Sequence, residues 1–337
     1  MTARSRVDAG AGRIDAGPAG GDGPPVGASI AVVGAGGVGG HLGGRLAAAG
    51  HDVRFLARGT TLAALRRTGL RVTGDAGDWV APALRASDDP HDLGPVDYVL
   101  LCVKTPHLPP ALDALDPLVG TDTAVVTVQN GVEAPEQVAA RLGRARVLPG
   151  LARVVATPVA PGEVRYHGPP GALGFAEWDG GASDRVFRLR GLLRGAGVDV
   201  LEPADIWAAL WAKFLLVVPV GSLGAATGGA TVGELRSRPG TRRMLVTGMR
   251  EIYETGIALG IALPPDAPDT AVALMDRQPA DSTTSLQRDI LAGRLSEFDA
   301  WTGAVVRLAG RAGRPAPLHE MLHELLATRI SRTVGQK

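Results

Sequence analysis

Lys213 is the lone cation of a long apolar stretch that runs from Ile206 to Pro219. Such a lysine either snorkels to solvent or is partly buried with a partner. In the second case its ammonium could hand a proton to a carbonyl oxygen as hydride reaches the carbon. A second group is Ser285-Leu-Gln-Arg-Asp-Ile-Leu-Ala-Gly-Arg-Leu-Ser-Glu297. There Ser285 could bond a carboxylate, and Glu297 could orient a hydroxyl or the Lys213 ammonium; an ordinary helix-loop-helix with a surface acid fits equally. Lys104 and Asn130 each follow a short apolar run. Alone, a solvated lysine and a plain Asn-Gly turn account for them. His319-Glu-Met-Leu-His323 has the spacing of a zinc-protease helix. Leu318, Met321, Leu322, Leu325 and Leu326 predict a core stripe that leaves both histidines off it, so an amphipathic helix is expected and no metal site.

The elements that must position these residues begin at Ser29–Val33, an apolar run that reads as a buried strand. Gly34-Ala35-Gly36-Gly37-Val38-Gly39 follows and fills G-x-G-x-x-G, with helical composition over Val38–Ala49 and a second strand at Val53–Leu56. Gly34 serves the tight turn, Gly36 the approach of backbone to a pyrophosphate, and Gly39 close helix–strand packing. One such motif among 47 glycines is weak; its strand–helix–strand setting makes it a dinucleotide signal. The second strand ends at Arg58 with no acid nearby. A guanidinium suits a 2′-phosphate, so the expected cofactor is NADP(H).

Alternating elements continue through strands at Tyr98–Val103 and Ala124–Val128 and helices at Leu108–Leu115 and Ala134–Leu142. They imply a doubly wound, Rossmann-like α/β sheet. Lys104 and Asn130 then stand at the carboxyl edge where ligands bind. Val147–Phe175 reads as antiparallel strands appended to that sheet. From Ala204 on the pattern is helical, including Ile206–Leu216, Arg242–Leu259, Glu297–Ala312 and Leu318–Ile330. The expected division is a disordered leader over 1–27, a cofactor domain over 28–203 and a helical substrate domain over 204–331.

Net charge is +1 with 20% charged residues, which gives no basic surface for nucleic acid. No apolar run approaches the ~18 residues of a membrane span. The single cysteine, Cys102, fits a reducing cytoplasm and reads as a small buried hydrophobe.

From residue 29 to about 328 the chain resembles the ketopantoate reductase family. The shared segments are Val-Val-Gly-Ala-Gly-Gly-Val-Gly-Gly, Phe-Leu-Ala-Arg-Gly, Leu-Cys-Val-Lys-Thr, Val-Gln-Asn-Gly-Val, Ala-Leu-Trp-Ala-Lys-Phe and Thr-Thr-Ser-Leu-Gln-Arg-Asp through Glu-Phe-Asp. The resemblance implies NADPH-dependent reduction of a 2-oxo acid in pantothenate biosynthesis, in a cleft between a Rossmann-like and a helical domain. By it, Arg58 binds the 2′-phosphate, Lys104 and Asn130 line the cleft, Lys213 protonates the carbonyl oxygen, and Ser285 holds the carboxylate. Glu297 contacts substrate and cofactor ribose. It allows a homodimer. Family members that make pantoate usually carry asparagines four and eight residues after the lysine; here these are Val217 and Gly221, with Pro219 expected to kink the helix. The loss predicts retained hydride chemistry on an altered substrate, either a less hydroxylated oxo acid or another ketone or imine. A non-catalytic NADP(H) sensor is the reading from a different class, and it would need neither Lys213 nor Glu297.

Overall fold

The computed structural model describes residues 27–75, 77–168 and 171–334. The expected leader over 1–27 lies almost wholly outside them. In chain order the strands are β1 (Ser29–Val33), β2 (Asp52–Leu56), β3 (Leu70–Gly74), β4 (Trp79–Ala81), β5 (Arg85–Ser87), β6 (Val96–Leu101), β7 (Val119–Thr127), β8 (Val147–Leu148), β9 (Gly150–Arg153), β10 (Ala156–Ala160), β11 (Glu163–Tyr166), β12 (Ala172–Phe175) and β13 (Asp199–Leu201). Among them run α1 (Gly37–Ala48), α2 (Gly59–Arg67), α3 (Leu108–Asp113), α4 (Ala134–Leu142) and α5 (Asp184–Gly195).

The central sheet is parallel with order β5-β2-β1-β6-β7-β8. Its middle strands are buried on both faces, which is why they read as unbroken apolar runs. The expected antiparallel extension of this sheet is not what forms. Apart from β8, the strands after α4 build two further sheets, β10-β11-β3-β4 and β13-β12-β9. β11 pairs parallel with β3 (Val164 opposite Val72), a partner far earlier in the chain. β10 and β11 then pack on α1, with Gly40 giving room to Val164.

The chain continues as α6 (Ile206–Ala226), α7 (Val232–Ser237), α8 (Pro239–Ala258), α9 (Ala267–Arg277), α10 (Ser285–Leu291), a π-turn over Asp299–Gly303, α11 (Ala304–Ala312) and α12 (Pro317–Val334). Asp205 caps α6 by accepting from the N–H groups of Trp207 and Ala208 at 2.8 and 3.1 Å. α6 does not stop at Leu216; it runs on through Pro219 to Ala226. Packing overrides the missing donor: the proline ring lies against Gly248 of α8, where a Cβ would approach Pro219 to 3.1 Å. At 21 residues α6 is long and apolar enough to cross a membrane, contrary to the sequence expectation. Here it is a core helix, with Leu210, Trp211, Phe214, Leu215 and Val218 buried among α8, α9, α10 and α12.

The terminal helix also departs from its pattern. His319 is fully buried, together with Leu322 and Leu326, while Met321 and Leu325 face solvent. The cause is Glu251 on α8. Its carboxylate accepts from the backbone N–H groups of Leu318 and His319 at 2.9 and 3.2 Å and meets His319 Nδ1 at 2.6 Å. A side chain from another helix thus caps the positive end of α12. His323 instead stacks on Phe298, 5.0 Å between centroids. The two histidines are parted by these separate roles.

Burial alone would raise the Glu251 pKa, but the bonds from His319 and Leu318 hold it below the ordinary carboxylate value. The stabilisation is therefore full above that ordinary value and fades as pH falls through the lowered one. Glu251→Ala is expected to cost about 3 kcal/mol near pH 7, with the gap to wild type narrowing in acid. Thermal melts at neutral and acidic pH check this; a gap that stays constant would contradict the role.

Candidate active site

The glycine loop joins β1 to α1 as its spacing predicts. Gly34 has φ 102°, the left-handed region that favours glycine, and its N–H donates to Leu56 O at 3.2 Å. At Gly37 a side chain would collide with Ala156 O, and at Gly39 with Gly34 O. Above Gly36 nothing lies within 4 Å of where a Cβ would stand. That open backbone at the first turn of α1, beside half-buried Ala35 and Val38, is a cradle suited to a pyrophosphate. Arg58, at the end of β2, is exposed and has no side-chain hydrogen bond or ion pair among the described residues. The loop fits a dinucleotide, and Arg58 stands where its ribose would lie. Cys102 lies behind the loop, where burial pushes its thiol up to about 12.

Across the sheet edge the sequence candidates meet. Lys213 Nζ on α6 donates to Asn130 Oδ1 and to Ala152 O, both at 2.7 Å. Asn130 Nδ2, just beyond β7, donates to Glu297 Oε2 at 2.9 Å. Glu297 Oε1 accepts from the Thr105 N–H at 3.2 Å. One amide therefore spans the cleft between ammonium and carboxylate, and its orientation follows from both partners. Two of three ammonium donors are used, which leaves one for a carbonyl oxygen. Burial lowers the Lys213 pKa to about 8; Glu297 opposes the shift and Arg153 assists it. Burial raises that of Glu297, against hydrogen bonds from Asn130 and Thr105 and the charges of Lys213 and Lys104.

Two candidates stand aside from this chain. Lys104 Nζ bonds Asp289 Oδ2 at 2.7 Å and Leu295 O at 3.1 Å, so it fastens β6 to α10. Ser285 sits half-buried in the first turn of α10, with no partner for its hydroxyl among the described residues. Val217 is half-buried one turn beyond Lys213, and Gly221 is buried two turns beyond. Sequence reasoning missed Ala152 O, the Thr105 N–H, Asp289 and Arg153. Only Asp289 and Arg153 carry a type signal, a charge next to an apolar run. Thr105 Oγ1 and Gln129 Oε1 are buried at this edge without partners among the described residues, which suits a polar ligand.

The family profile of ketopantoate reductase PanE/ApbA matches residues 30–180, and that of its C terminal matches 205–329. A 2-dehydropantoate 2-reductase of Mesorhizobium japonicum is 32% identical over 310 residues, 86% of this chain and 93% of the relative. A crystal structure of a PanE/ApbA family ketopantoate reductase from Ralstonia eutropha superposes with TM-score 0.83 at 30% identity, covering 91% of this chain and 99% of that one. A D-mandelate dehydrogenase solved with NADH and anilino(oxo)acetate shares the fold, with TM-score 0.81 at 20% identity over 91% of this chain and 99% of that one.

Proposed function

The chain belongs to the ketopantoate reductase family, and from that premise we propose that it reduces a 2-oxo acid to a 2-hydroxy acid with NADPH. The observation that carries this reading is the run Lys213–Asn130–Glu297 across the cleft. A redox sensor would need no proton donor. In this reading the glycine loop and Arg58 hold NADPH, which when bound supplies the hydride for the carbonyl carbon. The balance is one 2-oxo acid, one NADPH and one proton to one 2-hydroxy acid and one NADP⁺. Lys213 directs its free N–H at the substrate's carbonyl oxygen, offsets the charge that develops there and gives up the proton. Ala152 O and Asn130 fix the ammonium, Glu297 holds Asn130 and the donor's charge, and Ser285 takes the carboxylate. The single cysteine and the burial of α6 support a cytoplasmic enzyme. Pantothenate biosynthesis is its pathway if ketopantoate is the acid.

The test is loss of NADPH absorbance with a panel of 2-oxo acids that includes ketopantoate. Oxidation by at least one acid at ordinary enzyme rates is expected; silence across the panel would overturn the reading.

A further inference from the structure

The face of α6 beyond Lys213 carries no polar side chain toward the reacting group. Val217 is half-buried one turn on. Two turns on, Gly221 is sealed: a Cβ there would fall 2.9 Å from Trp301 Cζ3 and 2.8 Å from Thr284 Oγ1, closer than real Cβ atoms sit. An aromatic ring therefore already fills the volume that a side chain at 221 would need.

The ring is held in place. Trp301 is 2% exposed within the π-turn, an irregular helical turn of a kind common at functional sites. Ser222, next to Gly221, bonds Thr302, next to Trp301, by a buried hydroxyl pair at 2.7 Å. Thr284 is occupied as the cap of α10, accepting from the Gln287 N–H at 3.2 Å. Ser285 adjoins Thr284 and Lys213 lies two turns back from Gly221, so the wall shares α10 with the proposed carboxylate contact and α6 with the proposed proton donor. Lys213, Asn130 and Glu297 serve the carbonyl and Ser285 the carboxylate, while Thr105 Oγ1 and Gln129 Oε1 stand at the sheet edge. The edge that Trp301 turns to Gly221 is carbon, Cε3 and Cζ3, with the buried Nε1 on the other side of the indole. A hydroxyl held against Val217 and that carbon edge would be desolvated with no partner from either.

We propose that Val217, Gly221 and Trp301 select 2-oxo acids whose carbon chain beyond the carbonyl is an unhydroxylated alkyl or aryl group. This rests on the reductase reading above. Trimethylpyruvate and ketopantoate differ by one hydroxyl and make a matched pair. The kcat/KM with NADPH is expected to be at least ~10-fold higher for trimethylpyruvate. Equal values, or a preference for ketopantoate, would overturn the selection while leaving the reductase reading intact. No NADPH oxidation with either acid or with phenylpyruvate would overturn both.

Gly221→Asn combined with Trp301→Ala replaces the ring with an amide. It is expected to raise the ketopantoate-to-trimethylpyruvate ratio at least ~10-fold, whereas Trp301→Phe, which keeps a ring on Gly221, should hold the wild-type ratio. A folded double variant with the wild-type ratio would overturn the role of Trp301. Should that variant fail to fold, the wild-type comparison of the two acids still decides the proposal.

Discussion

Lys213→Ala lowers turnover by about 10²–10⁴-fold, the largest effect expected in this molecule. In the proposed reaction the side chain donates the proton, and its two fixed hydrogen bonds leave one N–H for the substrate. The pH profile separates this role from a structural one. A donor with a pKa near 8 is loaded below that value and empty above it. Reduction by the wild-type protein should therefore decline as pH rises through about 8. The residual rate of the alanine variant should lack that limb. NADPH binding, followed by fluorescence, should stay near wild type, because Lys213 is fixed by Asn130 and Ala152 rather than by the glycine loop. Unchanged turnover in the variant would remove Lys213 from the chemistry.

Arg58→Ala is expected to raise the KM for NADPH by about 10–100-fold, the scale of lost charge-assisted bonds to a phosphate, with little change for NADH. The guanidinium is exposed and uncommitted at the end of β2, next to the first turn of α2. Its contribution is electrostatic, so the wild-type preference should weaken as salt is added. A wild-type preference for NADH would contradict the assignment of the 2′-phosphate to Arg58.

How much of this was legible in the sequence depends on the distance over which each feature is decided. The run over Ser29–Val33 and the helix Ala134–Leu142 were readable, because burial on both faces and helical periodicity are local. The glycine loop was readable because its G-x-G-x-x-G spacing sits between a strand and a helix, although Gly34 and Gly37 also make room for Val103 and Ala156 far along the chain. The pairing of β3 with β11 was not, since a parallel register between distant segments leaves no mark in either. Nor was the passage of α6 through Pro219, whose support is a glycine on α8. His319 looked like a surface residue because the carboxylate that draws it inward lies on another helix. In the site, residue types pointed to Lys213, Asn130 and Glu297, but the order Lys213–Asn130–Glu297 needed the fold. Main-chain partners such as Ala152 O and the Thr105 N–H have no sequence signature at all.

The contacts of Glu297 have a consequence for when the protein is armed. Its carboxylate comes from the helical half, yet both of its hydrogen bonds, to the Thr105 N–H and the Asn130 amide, go to the sheet half. Lys213 likewise reaches across to Ala152 and Asn130. Neither half holds the run Lys213–Asn130–Glu297 by itself. On the proposed reading the site is a coincidence device: if the halves part by even an ångström or two, acid, amide and ammonium lose register together. Proton transfer in that reading needs both halves seated, so a molecule with its halves apart would be idle rather than indiscriminate.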